Sequence, residues 1–136
     1  METITTQTAV ELLEAAVELA GADRMYEVQP GAAACKYVHG DNPGCIVGVA
    51  LSIHGVPLDV LQSWDDDYQQ GLGIGSLFHH GRAPFLTKRA ADVLRAAQKI
   101  QDMAIWSTDT GGADLTWGAA LIAARSEAAR SDVGDE

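Results

Sequence analysis

Both cysteines and two of the four histidines fall within residues 35–55, CKYVHGDNPGCIVGVALSIHG. Cys45 follows Pro43-Gly44, which breaks whatever precedes it, and opens a run that is apolar or small nearly throughout. A thiol at a helix N-terminus feels the positive end of the helix dipole, which favours the thiolate. Cysteine hydrolases place their nucleophile this way, but they also need an imidazole within hydrogen-bond reach. His54 lies near the far end of the same run, and His79 or His80 would reach Cys45 only through tertiary folding. The competing reading is a small residue opening a core helix, since free cysteine is among the most buried types. Cys45 is thus a weak catalytic candidate, and no other catalytic residue is assigned.

Cys35, His39, Cys45 and His54 are donor types that zinc accepts, but the close pair of a structural zinc site, such as C-x2-C, is absent. No metal and no cofactor are expected. A Cys35–Cys45 disulfide is disfavoured, because a turn over 39–44 would set Cys45 opposite a residue near Val38. Gly71-Leu-Gly-Ile-Gly75 follows an acidic run, and no lysine comes until Lys88, so a phosphate loop is disfavoured. The 71–82 loop could still hold a small anion through His79, His80 and Arg82, with Trp64 or Trp106 as a lid. Trp64, Trp106 and Trp117 fall at element ends, where tryptophan seals a core or anchors a partner. Asp65-Asp66-Asp67 reads as a solvated acidic turn rather than a carboxylate pair for glycoside chemistry.

The elements that must position these residues follow from patterning. Thr8-Ala-Val-Glu11 reads as a capping box for a helix over 9–20. Its inner face is Val10, Leu13, Val17 and Ala20, widened by Leu12, Ala16 and Leu19, and Gly21 ends it. Met25–Val28 and Cys35–Val38 are the two candidate strands of a small antiparallel hairpin. A helix over 45–54 is apolar all round, with Ile46, Val49, Ala50 and Ile53 on one side. Gly48 within it implies a close crossing. Pro57 suits the first position of a short helix with Leu58 and Leu61 facing in. Residues 65–84 read as a loop with one or two turns. Thr87 caps a helix over 87–104, with Ala90, Leu94, Ala97 and Gln101 on one stripe. Gln98, Gln101 and Asp102 beside that stripe bond to the hairpin or to the 107–113 loop, or are exposed. A last helix covers 116–126, with Trp117, Leu121 and Ala124 inward. The expectation is one globular domain over 1–126, mainly α with a small antiparallel hairpin and about four to five helices, and an acidic, flexible tail over 127–136.

Composition bounds the function. A chain of 136 residues can bury a core without a staple. A net charge of −10 and scattered cations disfavour direct nucleic-acid binding. The carboxylates do not recur at phosphate-like intervals, which argues against nucleic-acid mimicry. The N-terminus lacks the basic start of a signal peptide, and no apolar run reaches the ~20 residues of a membrane span. A cytoplasmic protein with reduced thiols is expected.

Tyr37-Val38, Pro43, then Cys45, Val47, Gly48, Gly55 and Val56 occur in a distinctive order, followed by Ala97-Gln98, Gln101-Asp102 and Trp117-Gly118 with Leu121. In this the chain resembles a family of short, uncharacterised proteins of actinobacteria and their phages, over about two-thirds of its length. The resemblance implies a fold and a phage or actinobacterial setting. It implies no activity and transfers no catalytic residue, and the glycine loop at 71–81 departs from it.

Three functional readings follow. The first is a small, acidic, non-enzymatic accessory protein, phage-encoded, that binds a host protein in the host cytoplasm. The second is a binder or sponge for a small anionic ligand at His79, His80, Arg82 and Trp64. The third is a cysteine-nucleophile hydrolase built on Cys45. No pattern in the chain sets an oligomeric state.

Overall fold

The computed structural model describes residues 2–25, 36–67, 73–106 and 115–130. The chain runs through α1 (Thr6–Ala20), β1 (Val38–His39), β2 (Asn42–Pro43), α2 (Ile46–His54), α3 (Leu58–Asp67), α4 (Ile74–His79), α5 (Lys88–Trp106) and α6 (Trp117–Ala129). It is mainly α with one small antiparallel hairpin. Six helices are described, against the four to five expected, and α5 is the hub, touching α1, α2, α4 and α6. No helix among the described residues is long and apolar enough to cross a membrane.

Helix α1 starts three residues before the expected 9. Ile4 forms a bridge to Leu86: its N–H donates to the Phe85 carbonyl at 2.8 Å, and its own carbonyl accepts from Thr87 at 3.1 Å. That pairing holds the chain extended up to Thr5, whose hydroxyl caps the helix by accepting from the Thr8 amide at 3.3 Å. Thr8 therefore lies inside the helix, and the capping box with Glu11 does not form. Leu19, expected inward, is 74% exposed, and Ile53 on α2 is also exposed. Leu13, Ile46, Leu61 and Leu94, expected inward, are fully buried, as is Leu51.

The hairpin lies further along than the expected strands. It pairs Val38 with Pro43 and His39 with Asn42, around the two-residue loop Gly40-Asp41. Gly40 has φ +65°, the conformation that the first loop position of a type II′ hairpin requires. Of the expected strands, residues 26–35 lie outside the described residues, and Met25 bridges to Thr116 instead. The pairing extends past β2, with Gly44 donating to the Tyr37 carbonyl at 2.8 Å and Cys45 to Lys36 at 3.0 Å. Helix α2 begins directly beneath this ladder. A Cβ on Gly48 would collide with the Tyr37 carbonyl oxygen, so hairpin and helix approach as closely as two backbones allow.

The stretch read as a loop over 65–84 contains helix at both ends. Asp65-Asp66-Asp67 is the last turn of α3, and Ile74–His79 forms the one-and-a-half turns of α4. Pro57 stands just outside α3, its carbonyl accepting from Val60 and Leu61. Thr87 caps α5 through the Ala90 amide at 3.0 Å, and Thr116 caps α6 through Ala119 at 3.1 Å. Helix α5 runs to Trp106 rather than 104. Helix α6 continues to Ala129 rather than 126, so residues 127–129, expected in the tail, are helical; Glu127 accepts from Arg89 on α5 at 3.1 Å. The expected loop 107–113 and the end of the tail, 131–136, lie outside the described residues.

Candidate functional site

Cys45 occupies the N-cap of α2, where it makes no side-chain capping bond, and it is fully buried in the core cluster. A thiol is a poor acceptor, so the buried amides of this helix start need another partner. Gln101 provides it from α5: its Oε1 accepts from the Ile46 amide at 2.8 Å. The amide that would form one half of an oxyanion site is thereby occupied. His54, at the other end of α2, contacts the Glu2 carbonyl through Nε2 at 2.8 Å. The arrangement around Cys45 is that of a packed helix start.

Helix α4 is capped the same way. Its N-cap is Gly73, which has no side chain, and Gln98 Oε1 accepts from the Ile74 amide at 2.8 Å. The Gln98 nitrogen donates to the Tyr37 hydroxyl at 3.0 Å. Two glutamines one turn apart on α5 thus cap two other helices. Gln98 satisfies both ends of its amide, whereas Gln101 Nε2 has no partner among the described residues.

Asp65 was missed by sequence reasoning. It is buried, and its carboxylate accepts from two consecutive amides, Tyr37 at 3.1 Å and Val38 at 3.0 Å. Burial pushes its carboxyl above the ordinary value. The two amide bonds and nearby Lys36 pull the other way, while Asp66 adds to the rise. The group anchors the base of the hairpin to α3. Trp64 is 2% exposed and packs edge-on against Tyr37 at 5.6 Å between ring centroids, and stacks with Phe85 at 6.5 Å. It belongs to the core, and it is no lid.

The surface is arranged differently. His79 and His80 are exposed, 5.5 Å apart between ring centroids, and line an open cleft of about 390 Å³ between α4 and α5. Lys88, Asp92 and Arg95 form the other wall. Arg82 and Trp64 do not line it. Gly71 lies outside the described residues, as does Cys35. Among the described residues no group of three or more His, Cys, Asp or Glu is placed to hold a metal ion.

A second depression follows the outer seam of α5 and α6. One part, about 570 Å³, is lined by Arg95, Ala96, Lys99, Ile100, Met103 and residues of α6. The next, about 520 Å³, shares Ile100 and Ala123 with it and continues to Ile122 and Gly118. Ile122 is 64% exposed and Met103 46%. At one end Arg89 ties the helices together, reaching Asp92 and Glu127 at 3.1 Å each. Lys88 and Arg130 also pair with those two acids. Arg95 and Lys99 make no ion pair among the described residues. The sequence signal for this seam was the outward stripe of 95, 96, 99, 100 and 103, legible once Ala90, Leu94, Ala97 and Gln101 define the inward one. No protein-family model, curated protein or solved structure matches the chain.

Proposed function

We propose that this protein is a non-enzymatic binding protein, an accessory protein of phage origin that acts by docking on a host protein. The observation that carries the reading is the open α5–α6 seam, where Met103 stands exposed near Arg95 and Lys99 and Ile122 stands exposed further along. Large apolar side chains clustered on one concave surface are a signature of partner docking. The interior supports the same reading, because Cys45 is packed in the core and the oxygens of Gln98 and Gln101 cap helices. The test is affinity capture from actinobacterial lysate with the wild-type chain and Ile122→Glu. The wild type retains at least one host protein that the variant releases. Identical sets retained by both would overturn the reading.

A second reading rests on the α4–α5 cleft, where His79 and His80 line one wall and Lys88, Asp92 and Arg95 the other, in a space that admits an anionic ligand. Phosphate, pyrophosphate and ATP at millimolar concentration would then raise the melting temperature of the wild type but not of a His79→Ala/His80→Ala variant. No shift with any of the three removes it.

A further inference from the structure

We infer that the α5–α6 seam receives one acidic, amphipathic helix from the partner, with its carboxylates lined up over α5; this rests on the binding reading above. The seam follows α6 from Gly118 to Arg130, which at 1.5 Å per residue is about 18 Å, or between three and four turns of a docked helix. The apolar part of its floor is Ala96, Ile100 and Ala123, with Met103 in the first depression, Ile122 in the second, and charged side chains among them. A helix seated there offers an i, i+3, i+4, i+7 stripe to the floor.

Charge decides which helix. Arg95 and Lys99 stand one turn apart on α5, exposed and without an ion pair among the described residues, in a chain of net charge −10. The cations at the Arg130 end are already matched to Asp92 and Glu127. Unmatched positive charge therefore lies on the α5 rim, while Asp23 makes the Gly118 end negative, and a complementary helix carries its acids over Arg95 and Lys99 and none at that end. A second copy of this chain fits poorly, since a two-fold interface presents the same basic rim from both sides. An anionic bilayer fits poorly as well. The seam is concave, and a flat surface cannot reach its floor.

The probe is a labelled synthetic amphipathic helix of about four turns, with leucines on one face and glutamates along one flank. It is compared with a twin carrying lysines for glutamates and with anionic phospholipid vesicles. Fluorescence polarisation at low ionic strength reads binding to the full chain. The acidic helix binds about tenfold more tightly than the lysine twin. The preference disappears in Arg95→Glu/Lys99→Glu, and Ile122→Glu abolishes binding of both peptides. Equal binding of the two peptides, no binding of either, a preference that survives Arg95→Glu/Lys99→Glu, or vesicle binding lost in Ile122→Glu would each overturn the inference. Should any of these occur while Ile122→Glu still releases the captured host protein, the partner chemistry fails and the binding reading stands. Should host capture survive Ile122→Glu, the binding reading itself fails.

Discussion

Helix α5 turns two kinds of polar side chain to two kinds of surroundings. On its inner side Gln98 and Gln101 are buried and reach the amides that open α4 and α2. On its outer side Arg95 and Lys99 lie within a turn of those glutamines, exposed and without ion pairs among the described residues. The inner groups are consumed by the fold. A buried amide left without an acceptor costs about 1–3 kcal/mol, so each glutamine is tied to its position. The outer groups contribute little to the fold, since exposed charges are worth under about 1 kcal/mol. The polar groups of α5 that face inward are therefore structural, and those that face outward are free of that role.

The largest effect should come where inner backbones touch. Gly48→Ala sets a methyl group against the Tyr37 carbonyl, which cannot yield without moving the hairpin. We expect a loss of about 3 kcal/mol or more in urea unfolding, and a loss below about 1 kcal/mol would show that the crossing is looser than described. Next come the two glutamines, which the comparison ranks. Gln98→Leu strands the Ile74 amide and removes the bond to the Tyr37 hydroxyl, and should cost about 2–3 kcal/mol. Gln101→Leu strands one amide but also removes a buried nitrogen with no described partner, so its cost is smaller, about 1–2 kcal/mol. The reverse order would mean that Gln101 carries more of the junction than its one described bond.

Asp65 gives the inner region a pH signature. Its folded pKa is raised, so its contribution to stability is fully present below the unfolded value of about 4 and is lost as pH rises through the folded value. Wild type should gain stability relative to Asp65→Asn as pH falls from 7 towards about 4. A difference that shrinks over that range would mean that the two amide bonds outweigh burial. The smallest effect belongs to the outer face. Arg95→Ala, Lys99→Ala and Ile122→Glu should each shift stability by no more than about 0.5 kcal/mol, and a larger loss would place those residues in the scaffold.

What was legible in the sequence depended on how far away each partner lay. Thr87 and Thr116 cap the helices they precede, Gly55 closes α2 with φ +109°, and Gly48 marks a crossing that only glycine permits. All of these are local signals. Helix α4 went unread because its capping oxygen comes from Gln98, well along the chain from Gly73. The Asp65 role was hidden for the same reason. An acid within Asp65-Asp66-Asp67 looks solvated until Tyr37 and Val38 are brought against it. Thr5 rather than Thr8 starts α1 because Leu86 and Phe85 hold Ile4 extended, which no pattern within the first ten residues records. Of the candidate site, His79 and His80 were legible as a surface pair, but Lys88 and Arg95 join them only through the packing of α4 on α5.

The most direct test of the account sets one variant from each region side by side. Cys45→Ala and Ile122→Glu are each confirmed as folded, and host-protein capture is quantified for both against wild type. Cys45→Ala should retain the partner at the wild-type level, and Ile122→Glu should lose it. Loss on Cys45→Ala with retention on Ile122→Glu would contradict it, and would return function to the buried thiol.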